Sequence, residues 1–349
     1  MPPSVTAAPT PTRSAKTGSP ILLALSDQET RLFFPGDSLR GLTSMQQADV
    51  RGAGKETWNR LLEKHRPTIL VTSWSTPALD DAHTRQQGGS VDYVCHVSGS
   101  VRHIVTQDQI DAGLKVTNWG TLIAPQVAEH ALLMILGLLR NLGLWRETML
   151  SPATIQKREQ LGTRTLHGKN VSIHGFGIIA RELIALLRPF NVRVRVFSAG
   201  VPDSLIREHQ ATPVDSLAKL ADQADVFVTC EALTPATANS IDAKVLSKLP
   251  LGAVFVNVGR GAIVDEDALS AAASSRGLRI GSDVFACEPL AVDSPLFQLP
   301  GAILSPHVAG PTFDTYAACG RQALENIDSY LDGRPLKGLV TSEIFTRST

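Results

Sequence analysis

The chain has no net charge, because 33 basic and 33 acidic side chains cancel over its 349 residues. With no basic excess to track a phosphate backbone, a nucleic-acid partner is not expected, and any charge chemistry must be local. Cysteine is scarce: Cys95, Cys230, Cys287 and Cys319 are scattered with no Cys-x-x-Cys spacing. They signal neither a zinc site nor a disulfide framework, so no metal and a reducing, cytoplasmic setting are expected. Long apolar runs are missing as well. The longest, "ALLMILGLL" at 131–139, falls well short of the ~18 residues that suggest a membrane span, so it reads as a core helix and no membrane partner is expected. The first nineteen residues contain no acid and no run able to bury apolar surface. They read as a disordered tail without a secretory signal, an organelle transit peptide being the alternative reading.

What is there fits a soluble α/β protein, with 43% hydrophobic and 19% charged residues and enough length for two domains. Short β-rich runs, "ILLALS" from Ile21, "TILVT" at 68–72, "VDYVCHV" at 91–97 and "LKVTN" at 114–118, alternate with helix-compatible segments. That rhythm predicts a parallel sheet with crossover helices. A long helix is expected from Ala124 to about Asn141, with Pro125 in its first turn. The segment from Trp145 to Gly168 reads as a connector, after which the rhythm restarts.

The restart, "NVSIHGFGIIARELIALL" at 170–187, is a strand, a glycine turn and an amphipathic helix. Gly175, Gly177 and Ala180 form Gly-x-Gly-x-x-Ala. Gly175 permits the tight turn, Gly177 lets a pyrophosphate approach the backbone, and Ala180 lets the helix pack on the strand. The phosphates would meet the uncompensated N–H groups of the helix N-terminus. In such units the next strand ends on the residue that meets the adenosine ribose, commonly an acid about 20 residues on. Here that strand is "VRVRVF" and the residue is Ser198, 23 positions beyond Gly175. A serine neither repels a 2′-phosphate nor clamps one, so NAD and NADP both remain open and weak discrimination is expected.

Further strands, "ADVFVTC" at 224–230, "GAVFVNVGRG" at 252–261, "LRIGSDVF" at 278–285 and "AILSPH" at 302–307, each end in polar residues. Ligands of open parallel sheets bind beyond the carboxyl ends of the strands. Arg260, Asp283, Glu288 and His307 therefore belong at one ligand face. Reduction of a ketone needs a proton donor for the nascent alkoxide, and His307 suits that role. A nearby Glu288 would favour the protonated imidazole and fix the ring, Arg260 would fork a carboxylate, and Asp283 would fix a nicotinamide carboxamide. Read singly, they are a core histidine, a turn acid before Pro289, a structural ion pair and a strand-end cap.

"VNVGRGAIVDEDAL", "SDVFACEPL" with "DSPL" behind it, "ILSPHVAGPT", "VAEHAL", "GFGIIA" and "LTPAT" resemble the signature segments of the D-isomer-specific 2-hydroxyacid dehydrogenases, the group that includes phosphoglycerate dehydrogenase and glyoxylate/hydroxypyruvate reductase. The resemblance runs from about Val91 to Thr312. It implies two doubly wound domains, a Rossmann cofactor domain (120–311) inserted in a flavodoxin-like substrate domain (20–119 and 312–349), with the catalytic crevice between them. It also implies a homodimer, a small 2-keto or 2-hydroxy acid of D configuration as substrate, and a catalytic set of Arg260, Glu288 and His307. Implied cofactor contacts are Gly175, Phe176, Gly177, Ile178, Ile179, Ser198, Thr234, Val258, Gly259, Arg260, Asp283, His307 and Gly310. Implied substrate contacts are Ser98, Gly99, Ser100, Arg260 and His307. The chain departs from the pattern at "SGSVRHI", Ser98 to Ile104, where Ser98 and Ser100 replace glycines and Arg102 and His103 replace an acid and an amide. It departs again at Cys230, where the family has a histidine, and at Ser198. Two rivals follow from the same fold: a dinucleotide-sensing corepressor, which needs no proton donor, and a formate dehydrogenase, whose histidine–glutamine arrangement is not matched by Glu288.

Overall fold

The computed structural model describes residues 20–39 and 44–347, so the expected disordered tail lies outside the described residues. The chain forms two compact units. One comprises the described residues up to Gly120 together with Thr315–Ser342; the other comprises Thr121–Asp314 and the residues from Glu343 on. The final helix, Ser342–Arg347, thus groups largely with the second unit, whereas the segment 312–349 was expected in the first; Phe345 on this helix is buried.

In the first unit five parallel strands, β1 (Ile21–Ala24), β2 (Met45–Ala48), β3 (Ile69–Thr72), β4 (Tyr93–His96) and β5 (Lys115–Thr117), lie in the order β2-β1-β3-β4-β5. β1, β3 and β4 are buried along their whole length, as expected of parallel strands covered on both faces. β2, "MQQA", sits at the edge and is polar, which is why no apolar run announces it. The helix Asp27–Phe33 starts at a capping box: Ser26 Oγ accepts the Glu29 N–H and the Glu29 carboxylate accepts the Ser26 N–H.

The second unit is a seven-stranded parallel sheet of β6 (Asn170–His174), β7 (Arg193–Phe197), β8 (Thr212–Pro213), β9 (Val226–Thr229), β10 (Val254–Asn257), β11 (Arg279–Ser282) and β12 (Ile303–Leu304). The order is β12-β11-β10-β9-β6-β7-β8. The chain winds outward from β6 to β8, then returns and winds outward the other way from β9. The carboxyl ends of β6 and β9 therefore flank the point where the order reverses, where doubly wound sheets open a ligand crevice. The helices Ala124–Leu139 and Ile178–Leu187 cover one face, with Met134, Ile135, Leu138, Leu183 and Leu187 packed on Val171, Ile173, Val254 and Val256. Each such side chain contributes about 1.5–3 kcal/mol through burial. The other face carries Phe227 stacked on Phe255, with Leu246, Leu269 and Ile280 around them. The segment expected to be a plain connector holds two short helices, Trp145–Leu150 and Thr154–Gln160. Among the described residues no single helix is long and apolar enough to cross a membrane.

Candidate active site

At the end of β6 the Gly175 N–H donates to the Phe197 carbonyl at 2.8 Å, holding the turn against β7. Gly175 has φ 98°, a left-handed conformation, and a Cβ there would sit 2.8 Å from the Glu231 nitrogen, so only glycine fits. Gly177 is the N-cap of the helix Ile178–Leu187. No side chain bonds the free N–H groups of that cap, and nothing lies within 4 Å of where its Cβ would be. An open, uncapped helix start suits a pyrophosphate. Ile178 is exposed and Ile179 half-buried beside it. Phe176 points the other way, into the core and edge-on to His209, so only its backbone is available to a ligand.

Beyond β7, the Ser198 hydroxyl donates to Glu231 Oε2 at 3.1 Å. Glu231 Oε1 accepts its neighbour's N–H, from Ala232, at 3.0 Å. Burial, with the Glu231 charge adding to it, pushes the Cys230 thiol up to about 12, so it is no nucleophile at neutral pH. Thr234 is held in a tight turn, its N–H donating to Thr237 Oγ1 at 2.7 Å.

Beyond β10, Val258 is buried. The Asn257 amide accepts the Gly259 N–H at 3.0 Å and donates to the Arg260 carbonyl at 3.2 Å. Arg260 Nη1 donates to the Gly259 carbonyl at 2.7 Å. Burial pushes the guanidinium below its usual value and the Glu288 carboxylate pulls it back. Gly261 is where two segments meet: a Cβ would lie 1.8 Å from the Phe285 carbonyl carbon. Arg260 is thereby brought to the segment that carries Glu288.

Glu288 Oε1 accepts the Phe285 N–H at 3.0 Å, and its Oε2 lies 2.7 Å from His307 Nδ1. Both side chains stay partly exposed, His307 at 50% and Glu288 at 36%. His307 has φ 54°, so the chain turns sharply as it leaves β12, with Gly310 half-buried just after. The turn is organised by Asp283. Its carbonyl accepts the His307 N–H at 2.8 Å, and its carboxylate accepts the Ser305 hydroxyl at 2.5 Å and the Val308 and Ala309 N–H groups at 2.9 Å each. Asp283 is 1% exposed, so its carboxylate frames the loop and has no open face for a carboxamide. Sequence reasoning missed His130, whose Nε2 lies 2.9 Å from Ser305 Oγ and 3.5 Å from Asp283 Oδ1. The quoted "VAEHAL" held it, but helical spacing alone gives no partner.

In the first unit, the expected substrate loop is anchored. Ser98 is fully buried, with its hydroxyl 2.6 Å from His96 Nε2. The Gly99 carbonyl accepts the Asn118 side-chain amide at 2.7 Å, and the Trp119 ring lies where a Gly99 Cβ would be. Ser100 is half-buried. Ser98 can present only backbone to a ligand.

Residues 132–309 match the family described as D-isomer specific 2-hydroxyacid dehydrogenase, NAD binding domain. The chain is 30% identical over 279 residues to glyoxylate/hydroxypyruvate reductase A of Arabidopsis thaliana, covering 79% of this chain and 87% of that one. It is 32% identical over 222 residues to the D-3-phosphoglycerate dehydrogenase of Mycobacterium leprae (strain TN), covering 63% of this chain but only 41% of that longer protein. The holo form of Rhodotorula graminis D-mandelate dehydrogenase shares the fold, with a TM-score of 0.79, 20% identity and coverage of 92% and 97%.

Proposed function

The chain belongs to the D-isomer specific 2-hydroxyacid dehydrogenase family, and from that premise we propose that it interconverts a small 2-keto acid and its D-2-hydroxy acid, with His307 as the proton donor and acceptor. The observation that carries the reading is the 2.7 Å pairing of His307 Nδ1 with Glu288 Oε2. A partly exposed imidazole held by a carboxylate at a strand end has a free Nε2 and a fixed ring, which is what proton delivery requires. The same pairing speaks against a pure dinucleotide sensor.

The open cap at Gly177 and the left-handed Gly175 fit a dinucleotide pyrophosphate on the seven-stranded unit. When bound, the nicotinamide supplies or accepts the hydride. The residues of the chain do the rest. Arg260 holds the substrate carboxylate, His307 gives its proton to the carbonyl oxygen during reduction and takes it back in the reverse direction, and Glu288 keeps the ring in place.

We also assign the chain to a homodimer. Leu133, Trp145, Met149 and Leu150, on successive helices, are large apolar side chains left exposed, a face suited to a second copy. Met149→Glu with Leu150→Glu is expected to yield a monomer by sedimentation if that face carries the contact.

The deciding experiment is a panel of 2-keto acids offered with NADH and NADPH and followed at the nicotinamide absorbance. Reduction of at least one acid is expected, with His307→Gln lowering turnover by about 10²–10⁴ while dinucleotide affinity stays near the parent value. Tight dinucleotide binding with no reduction of any acid would move the chain to the sensor reading.

A further inference from the structure

We propose that Glu231, on the loop after β9, supplies the acidic selector for the adenosine ribose that β7 lacks, and that the chain therefore prefers NAD to NADP. The inference rests on the dinucleotide reading above and reverses the weak discrimination expected from Ser198 alone.

Three observations place the carboxylate. The end of β7 is where a doubly wound sheet meets the ribose, and there the Ser198 hydroxyl donates to Glu231 Oε2 at 3.1 Å. The other oxygen is pinned by the Ala232 N–H at 3.0 Å, so the group is not a freely swinging surface acid. The backbone of Glu231 also abuts the glycine turn. A Cβ on Gly175 would lie 2.8 Å from the Glu231 nitrogen, and a Cβ on Gly259 would lie 2.9 Å from its carbonyl oxygen. β6 lies between β7 and β9 in the sheet, so the Glu231 side chain reaches across the end of β6 to the end of β7.

The chemistry follows from what the group can do. A carboxylate only accepts, and a ribose 2′-hydroxyl is a donor that can share it with, or replace, the Ser198 hydroxyl. A 2′-phosphate brings about two negative charges and three acceptor oxygens to an acceptor of the same sign. The segment Ser198 to Pro202, "SAGVP", carries no lysine or arginine to offset that repulsion. An acid at the tip of β7 and an acid reaching there from the loop after β9 both bring a negative charge to the end of β7. The second arrangement is invisible to a reading that looks only about 20 residues past the glycines.

The test is direct binding, measured by calorimetry or protein fluorescence, of NADH and NADPH and of the probes 5′-AMP and 2′,5′-ADP. Wild type is expected to bind NADH at least tenfold more tightly than NADPH. Glu231→Gln, whose carbonyl oxygen can still accept the Ala232 N–H while its amide donates to the Ser198 hydroxyl, is expected to narrow that ratio at least tenfold, chiefly by tightening NADPH. Ser198→Ala, which leaves the carboxylate in place, is expected to leave NADH favoured. Because a repulsion between partly exposed charges is screened by salt, the wild-type ratio itself should shrink between low and high ionic strength, a readout that needs no variant. Tight binding of both dinucleotides, with a ratio that Glu231→Gln leaves unchanged, overturns the selector and spares the dinucleotide reading. Binding of neither dinucleotide by the wild type overturns both.

Discussion

Glu288 is tied at both oxygens, with Oε2 2.7 Å from His307 Nδ1 and Oε1 on the Phe285 N–H at 3.0 Å. The imidazole is thus fixed to the loop between β11 and β12 and does not swing on its own bond. Replacing Glu288 by Ala frees the ring while leaving the glycine turn untouched. Turnover of the keto acid is expected to fall by about 10², with the dinucleotide Kd changed less than threefold. Glu288→Gln, whose single carbonyl oxygen can serve Nδ1 or the Phe285 N–H but not both, should lie between parent and Ala. Equal loss of turnover and of dinucleotide affinity would show that Glu288 holds the loop as a whole and not the ring.

Asp283 offers a test that separates frame from ligand. Its carboxylate serves the Ser305 hydroxyl and the Val308 and Ala309 N–H groups while being 1% exposed. Asp283→Ala leaves the buried Ala309 N–H and the part-buried Val308 N–H without their acceptor, while the Ser305 hydroxyl keeps His130 Nε2; the buried donor alone costs about 1–3 kcal/mol. Thermal unfolding is expected to come about 5–10 °C earlier, and turnover to drop because the residues on either side of His307, Ser305, Val308 and Ala309, lose the carboxylate that holds them. A variant with parental thermal stability and a weakened dinucleotide Kd would instead make Asp283 a cofactor contact.

Much of this arrangement is legible in the sequence, for a physical reason. Strands buried on both faces, such as "ILLA", "ILVT", "VFVT" and "VFVN", must be apolar throughout, so they stand out as runs. Arg260, Glu288 and His307 could be placed at one face because each follows such a run. β2, "MQQA", and the two-residue β8 are edge pieces with nothing to bury and leave no trace. The pairing of Ser198 with Glu231 also stayed hidden, since it depends on β6 lying between β7 and β9, and lateral strand order has no local signal. Phe176 and Ser98 show a third limit. A motif gives the position, but whether a side chain turns inward is decided by packing.

Gly261 tests how the two loops are joined. A methyl group there would stand 1.8 Å from the Phe285 carbonyl carbon, a backbone atom that cannot rotate away. Gly261→Ala is therefore expected to cost about 3 kcal/mol or more, at the upper end of overpacking, read as a lower urea midpoint. It should also weaken keto-acid binding, because Arg260 and the Glu288 segment are pushed apart. A fully stable, fully active Gly261→Ala would mean that the close approach is absent in solution.

Two buried histidines predict how stability responds to acid. Burial, helped by the His103 charge, pushes His96 down to about 3, and burial alone pushes His174 down to about 4. His96 is held as a neutral ring by Thr72 Oγ1 at 2.9 Å and Ser98 Oγ at 2.6 Å; His174 has Thr229 Oγ1 at 3.3 Å. In the unfolded chain both titrate near 6.5. Above that value neither state binds the proton and the stability they support is fully present. As pH falls below 6.5 the unfolded chain takes up protons that the folded one refuses, and stability is lost until the folded values are reached. The window from pH 6.5 to 5 is clear of most carboxylate titration, and each histidine there contributes a slope of up to about 1.4 kcal/mol per pH unit. Urea midpoints measured at pH 7, 6 and 5 should therefore decline, and His96→Gln should lower the value at pH 7 while making the decline shallower by about one proton. Midpoints that stay level from pH 7 to 5 would mean that His96 and His174 accept protons while folded, and the dry, neutral core around β4 and β6 would have to be abandoned.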